Sequence, residues 1–161
     1  MNYTNKILLS FSLIFSLSSY SEIAEVYSWK AKPGEGASMI ETMVEAASIQ
    51  REMGAHVTIN QLDVGSQNQI DYVIRFDSTA EWGSYRDSLQ ASEKWNEFWN
   101  RVGEDPNGEL ELSFAAINLD ANEKSSSFPN SGVYGVWVWD VAAGKLPEVL
   151  ENFAQAKVIH E

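Results

Sequence analysis

The residues with the most to offer chemically are aromatic. Tyr27 and Trp29 stand two apart, Trp137 and Trp139 repeat that spacing, and Tyr72 and Arg75 lie in a third stretch rich in apolar residues. A spacing of two puts side chains on one face of a strand. Rings arranged this way either form a dry core between sheets or line a cavity for a small apolar ligand, with Arg75 holding an anionic group. His56 and His160 are the only histidines. An imidazole at the start of a strand can act as a general base near neutral pH. The candidates for proton transfer are therefore His56, Tyr72 and Arg75, and those for ligand binding are Tyr27, Trp29, Tyr72, Arg75, Trp137 and Trp139.

Other patterns fail on their own chemistry. Gly34-x-Gly36 lies between a strand and a helix, as a dinucleotide-binding loop would, but the third glycine position holds Met39. Its side chain would block close helix–sheet approach, so the glycines make a turn. Asn118-x-Asp120-x-Asn122 alternates oxygen ligands like a calcium loop, yet Glu123 stands where glycine is needed and Pro129 where the bidentate glutamate belongs. It reads as polar linker. One strand-borne histidine without placed carboxylates makes no zinc site, and no Gly-x-Ser-x-Gly elbow supports serine hydrolysis. Glu109 and Glu111 read as solvated charges on an edge strand. The expectation is no metal and no cofactor.

Composition narrows the classes further. The 161 residues are 44% hydrophobic and 21% charged, the balance of a folded domain rather than a disordered chain. The net charge of −12 repels phosphates, which argues against nucleic acid as a partner. The absence of cysteine excludes disulfides, thiolate zinc sites and cysteine nucleophiles. Lys6 precedes an apolar run at residues 7–17, too short to cross a bilayer, which takes roughly 20 residues. Ser19-Tyr20-Ser21 supplies small residues for a peptidase. Residues 1–21 are thus expected to be a signal peptide, cleaved after Ser21, and the mature protein to be periplasmic or secreted without a later membrane span.

The elements that must position these residues follow from periodicity. Strand patterns cover residues 23–30, 56–64 and 70–76, the last two joined as a hairpin across the turn 65–68. A helix is expected over 37–53, with Met39, Ile40, Met43, Val44 and Ala47 as its apolar stripe and Gly54 as its left-handed cap. Ser78-x-x-Glu81 matches a capping box and opens a helical stretch to about residue 102. In that stretch Trp82, Tyr85 and Leu89 point one way, whereas Trp95, Phe98, Trp99 and Val102 cluster roughly 120° away. One straight helix cannot bury both groups, so a break is expected at residues 90–92. Asp105-Pro106-Asn107-Gly108 is turn chemistry, and Leu110, Leu112, Phe114 and Ala116 alternate along a fourth strand. The order β-α-β-β-α-β is the split βαβ, ferredoxin-like arrangement: an antiparallel sheet with helices on one face. Both faces carry apolar residues, so the bare face needs a cover.

The opening pattern then returns. Residues 121–132 have linker composition, after which Val136-Trp137-Val138-Trp139 matches Val26-Tyr27-Ser28-Trp29 at an offset of 110. The 21 aligned pairs from Val26 to Ala46 contain five identities, and the helix stripe recurs in Val149, Leu150, Phe153 and Ala154. Residues 22–120 are thus one ferredoxin-like unit. Residues 133–161 are the truncated start of a second, and the sequence is expected to be a fragment of a longer chain.

With residues 23–119 in this order, and with the passage Phe76-Asp77-Ser78-Thr79-Ala80-Glu81-Trp82 entering the second helix, the pattern resembles the dimeric α+β barrel superfamily, including antibiotic-biosynthesis-monooxygenase-like and NIPSNAP-like domains. The resemblance implies that two such sheets pack face to face, so the partner would be a second ferredoxin-like copy in the same chain or in a homodimer. It leaves function open, since members include cofactor-independent monooxygenases and isomerases as well as proteins without known activity. The reading that follows is an exported α+β barrel domain that binds a small apolar ligand. The alternatives are a cofactor-independent monooxygenase or isomerase of the same superfamily, and a structural or partner-binding module.

Overall fold

The computed structural model describes residues 22–63, 68–120, 124, 132–133 and 135–160. The expected signal peptide and most of the expected linker lie outside the described residues. The chain divides into two compact units, Met1–Asn130 and Ser131–Glu161.

The first unit follows the expected order. Strand β1 (Ile23–Ala31) leads to helix α1 (Gly36–Glu52), the hairpin strands β2 (His56–Gln61) and β3 (Gln69–Phe76), helices α2 (Thr79–Ala91) and α3 (Glu93–Glu104), and strand β4 (Gly108–Ile117). All pairings are antiparallel, in the sheet order β2-β3-β1-β4. The chain turns into α1 through Gly34 and out of it through Gly54, both at positive φ. Asn68, also at positive φ, makes the last residue of the expected hairpin turn; its other three residues are not among those described.

The helical break falls where the phase conflict requires it. Ser92 ends α2 and caps α3, accepting from the Trp95 amide at 3.2 Å. Ser78 caps α2 the same way, accepting from the Glu81 amide at 3.2 Å. The return arm of the capping box is displaced by one residue: the Glu81 carboxylate accepts from the Asp77 amide at 3.2 Å.

Helices α1–α3 pack on one face. Their core partners are Val57 on β2, Ile70, Tyr72, Ile74 and Phe76 on β3, and Tyr27 and Trp29 on β1. The stripe of α1 differs from expectation. Met39, Met43, Ala46, Ala47, Ile49 and Gln50 are buried, while Ile40 and Val44 face outward at 37% and 52% exposure. The buried stripe lies further toward residues 46–50, with Ala46 and Ala47 among the core residues.

The reverse face holds the other parity. The register puts Ala24, Val26, Val73, Phe114 and Ala116 there in one patch, with Leu112 beside Ser28. Phe114 and Leu112 are 46% and 54% exposed. The rest of that face is polar: Ser28 donates to Asp71 at 2.6 Å, and Arg75 to Thr58 at 2.9 Å. Strand β4 carries a bulge at Glu111, whose carboxylate meets Lys30 at 3.5 Å.

In the second unit, residues 135–141 form no strand, and helix α4 spans Leu146–His160. A helix thus follows residues 135–141, which were expected to be a strand. That strand does not form, because a strand exists only through hydrogen bonds to a neighbour. Trp139 packs on Phe153 with ring centroids 5.4 Å apart.

Candidate functional site

The sheet, α1, α2 and α3 border a partly open cavity of about 610 Å³, within the 300–1,000 Å³ range of small-molecule sites. Its walls are mainly apolar. Met39, Met43 and Ala46 come from α1, Tyr27 and Trp29 from β1, Tyr72 and Ile74 from β3, Leu89 from α2, and Trp95, Phe98 and Trp99 from α3. Each side chain reaches the cavity because strand parity or helical phase aims it there. The aromatic wall is self-supporting: Trp99 stacks on Trp29 at 6.4 Å and meets Trp95 edge-on at 5.6 Å and Phe98 at 5.5 Å.

The rim near β4 is fixed by a turn. Asn107 donates from its amide to Thr42 Oγ1 at 2.8 Å and Ser38 Oγ at 3.2 Å, while its carbonyl accepts from the Lys32 amide at 3.0 Å. Gly108 follows, and a Cβ there would meet Met39 Sδ at 2.6 Å and the Lys30 carbonyl at 3.0 Å. A side chain here would have to push the end of Met39 aside and would crowd the β1 backbone.

A polar cluster lines one part of the cavity wall. Glu25 is 5% exposed and its carboxylate accepts from Trp82 Nε1 at 2.7 Å, Tyr27 Oη at 2.9 Å and Arg86 Nη1 at 3.4 Å. Three donors, one of them cationic, are what a buried carboxylate requires. Tyr72 donates its hydroxyl to Gln50 Oε1. Tyr85, 3% exposed, packs its ring against Phe76 at 4.7 Å, and its hydroxyl finds no hydrogen-bond partner among the described residues. Burial holds the hydroxyls of Tyr27, Tyr72 and Tyr85 above the ordinary tyrosine range. The Glu25 charge adds to this for Tyr27 and Tyr85. Tyr27 and Tyr72 therefore act as neutral donors, not as bases.

The expected site residues separate. Tyr27, Trp29 and Tyr72 line the cavity together. Arg75 does not join them: it lies three residues from Tyr72, so a period of two sends it to the reverse face, where it stands opposite His56 in the strand register. His56 is half-buried there at the start of β2. Trp137 and Trp139 belong to the second unit, at 72% and 60% exposure. Glu25, Gln50, Trp82, Tyr85 and Arg86 were not expected. The available signal was Glu25 itself, a lone carboxylate in register with Ile23, Tyr27 and Trp29 on the apolar parity of β1. Among the described residues no cluster of His, Asp or Glu could hold a metal. Asn118 instead bridges Glu22 Oε2, at 2.7 Å, and the Asp120 amide, at 2.9 Å.

An uncharacterized NIPSNAP-like domain protein from Burkholderia xenovorans superposes with a TM-score of 0.51 at 19% identity, over 72% of this chain and 97% of its own. The fold is that of a NIPSNAP-like domain. A NIPSNAP family protein of unknown function from Agrobacterium tumefaciens str. C58 superposes with a TM-score of 0.49 at 18% identity, over 62% of this chain and 87% of its own. A structure described as a putative antibiotic biosynthesis monooxygenase from Chloroflexus aurantiacus J-10-fl gives 0.46 at 17% identity, over 62% and 94%. No family model matches the sequence, and no curated protein matches it. The NIPSNAP-like fold explains the one-sided helix layer over an antiparallel sheet and, at this level of identity, says nothing of activity.

Proposed function

We propose that this is an exported α+β domain whose helix–sheet cavity binds a small apolar ligand. The observation that carries this reading is the cavity of about 610 Å³, walled by rings and methionines and bordered by a satisfied polar cluster. Apolar walls with a few convergent polar groups are the common form of small-molecule sites. The neutral fluorescent probe N-phenyl-1-naphthylamine is expected to bind the full chain at one site. Leu89 lines the cavity and is only half-buried; Leu89→Trp should fill the space and weaken probe binding at least tenfold with the circular dichroism unchanged. Equal binding by a folded Leu89→Trp protein would refute the reading.

The same proposal includes two features the sequence suggested. A second copy, as a tandem repeat in a longer chain or as a homodimer partner, would cover Val26, Val73 and Phe114 on the reverse face. Export rests on the charged, apolar and small-residue order of positions 1–21. Mass analysis of protein recovered from outside the cytoplasm is expected to show a chain beginning at Glu22; one beginning at Met1 would contradict cleavage.

A further inference from the structure

We infer that the cavity selects an apolar molecule carrying one positive charge, seated against the tryptophan rings of its wall and within the field of the Glu25 carboxylate. The inference rests on the ligand-binding reading above and adds the charge of the ligand. Trp29 from β1 and Trp95 and Trp99 from α3 line the cavity. Their surfaces are reachable, since Trp29 and Trp95 are half-buried and Trp99 is 42% exposed. The face of an indole ring is electrically negative. A cation placed against it gains an attraction that a neutral group of the same shape does not, and the gain grows as water is excluded.

The charges of the wall act in the same direction. Among the described residues Glu25 is the acidic side chain lining the cavity and Arg86 the basic one. Glu25 is buried, whereas the Arg86 side chain is 45% exposed. The pair is therefore a dipole whose positive end lies toward water, where solvent and salt screen it more than the buried negative end. Its contact of 3.4 Å is also longer than the roughly 2.7–2.9 Å of a strong charge-assisted bond. The neighbouring hydroxyls register the balance. Burial raises both Tyr27 and Tyr85, and the Glu25 charge raises them further, by more than Arg86 lowers them. A quaternary ammonium asks for no hydrogen bond, so the contacts of Glu25 with Trp82 and Tyr27 can stay intact while its charge is felt. An anion would meet the same field and find Arg86 already paired. The net charge of −12 adds a longer-range attraction for cations.

Equilibrium dialysis of the full chain at pH 8 against phenyltrimethylammonium and tert-butylbenzene tests this. The two share one shape and differ by a nitrogen cation in place of a carbon. The cation should bind about tenfold more tightly than the hydrocarbon. Glu25→Gln should bring the two within about twofold of each other. Arg86→Met should act the other way and widen the preference about threefold, because it removes the opposing charge from an exposed position. A purely structural role for Arg86 predicts no such gain. Trp99→Leu should weaken the cation about fivefold more than the hydrocarbon. Circular dichroism checks the fold of each variant, and if Glu25→Gln does not fold, Arg86→Met decides. The inference is overturned if the parent binds the two compounds alike, if the preference survives in folded Glu25→Gln, or if Arg86→Met fails to widen it. Hydrocarbon binding without an advantage for the cation removes the charge selectivity alone; failure of both compounds to bind removes the apolar site as well.

Discussion

Phe98→Ala is expected to destabilise the protein by about 3–5 kcal/mol and to abolish probe binding in the same variant. The size follows from the central place of this ring in the packing of α3. Phe98 is the buried residue of that helix. It is 4% exposed, and its ring stacks on Trp95 at 5.3 Å, meets Trp99 at 5.5 Å and lies 5.7 Å beneath the Arg101 guanidinium. Around it Trp95 and Val102 pack partly buried against the core, Trp99 stacks on Trp29, and two surface ion pairs tie α3 to α1, Arg101 to Glu45 and Lys94 to Glu52 at 2.7 Å. All four side chains are about half exposed or more, and each such pair contributes at most about 1 kcal/mol. Removing the ring leaves the aromatic wall without its middle member, so Trp95 and Trp99 lose their support and α3 can lift from the cavity. Denaturant unfolding would measure the stability loss, and hydrogen exchange should show α3 amides opening well below the global free energy. Parent-like stability, or α3 protection equal to that of β3, would show that the helix is anchored elsewhere.

The fold was legible because each element states its own period. The helical break is the clearest case: Tyr85 and Phe98 each became the single buried residue of its helix, on faces that one straight rod cannot turn to the same sheet. The register of β3 was equally plain, since Ile70, Tyr72, Ile74 and Phe76 share a parity and all ended in the core. The site was legible only in part. Tyr27, Trp29 and Tyr72 share the buried parity and line the cavity, whereas Arg75 breaks that parity by one step and so left the group. Glu25, Gln50, Trp82, Tyr85 and Arg86 come from β1, α1 and α2, and nothing local states that these elements converge. Their meeting depends on the crossing of helices over the sheet. Residues 136–139 failed for a different reason: alternation shows that a segment can be a strand, but a neighbour must supply the hydrogen bonds.

The tyrosines of the cavity predict how stability changes with alkali. In the folded protein burial holds the protons of Tyr72 and Tyr85 well above the ordinary tyrosine value of 10.0. The unfolded chain releases them near that value. Above pH 10 the native state therefore binds more protons than the unfolded state, and unfolding becomes easier as pH rises. The stabilisation from these two groups is complete below pH 10 and is lost progressively from there toward their folded values. Two such groups give a slope of up to about 2.7 kcal/mol per pH unit. Guanidinium unfolding at pH 9, 10, 11 and 11.5 is expected to show little change across the first interval and a steep decline across the later ones. Lysines and arginines also titrate there, but they are common to parent and variant, so the difference between the two isolates the tyrosines. Tyr72→Phe and Tyr85→Phe should each lower the slope by up to about 1.4 kcal/mol per pH unit. Tyr72→Phe should also lower stability at pH 7, since its hydroxyl serves Gln50. A single slope shared by parent and both variants would mean that the two hydroxyls ionise freely in the native state, contrary to their burial.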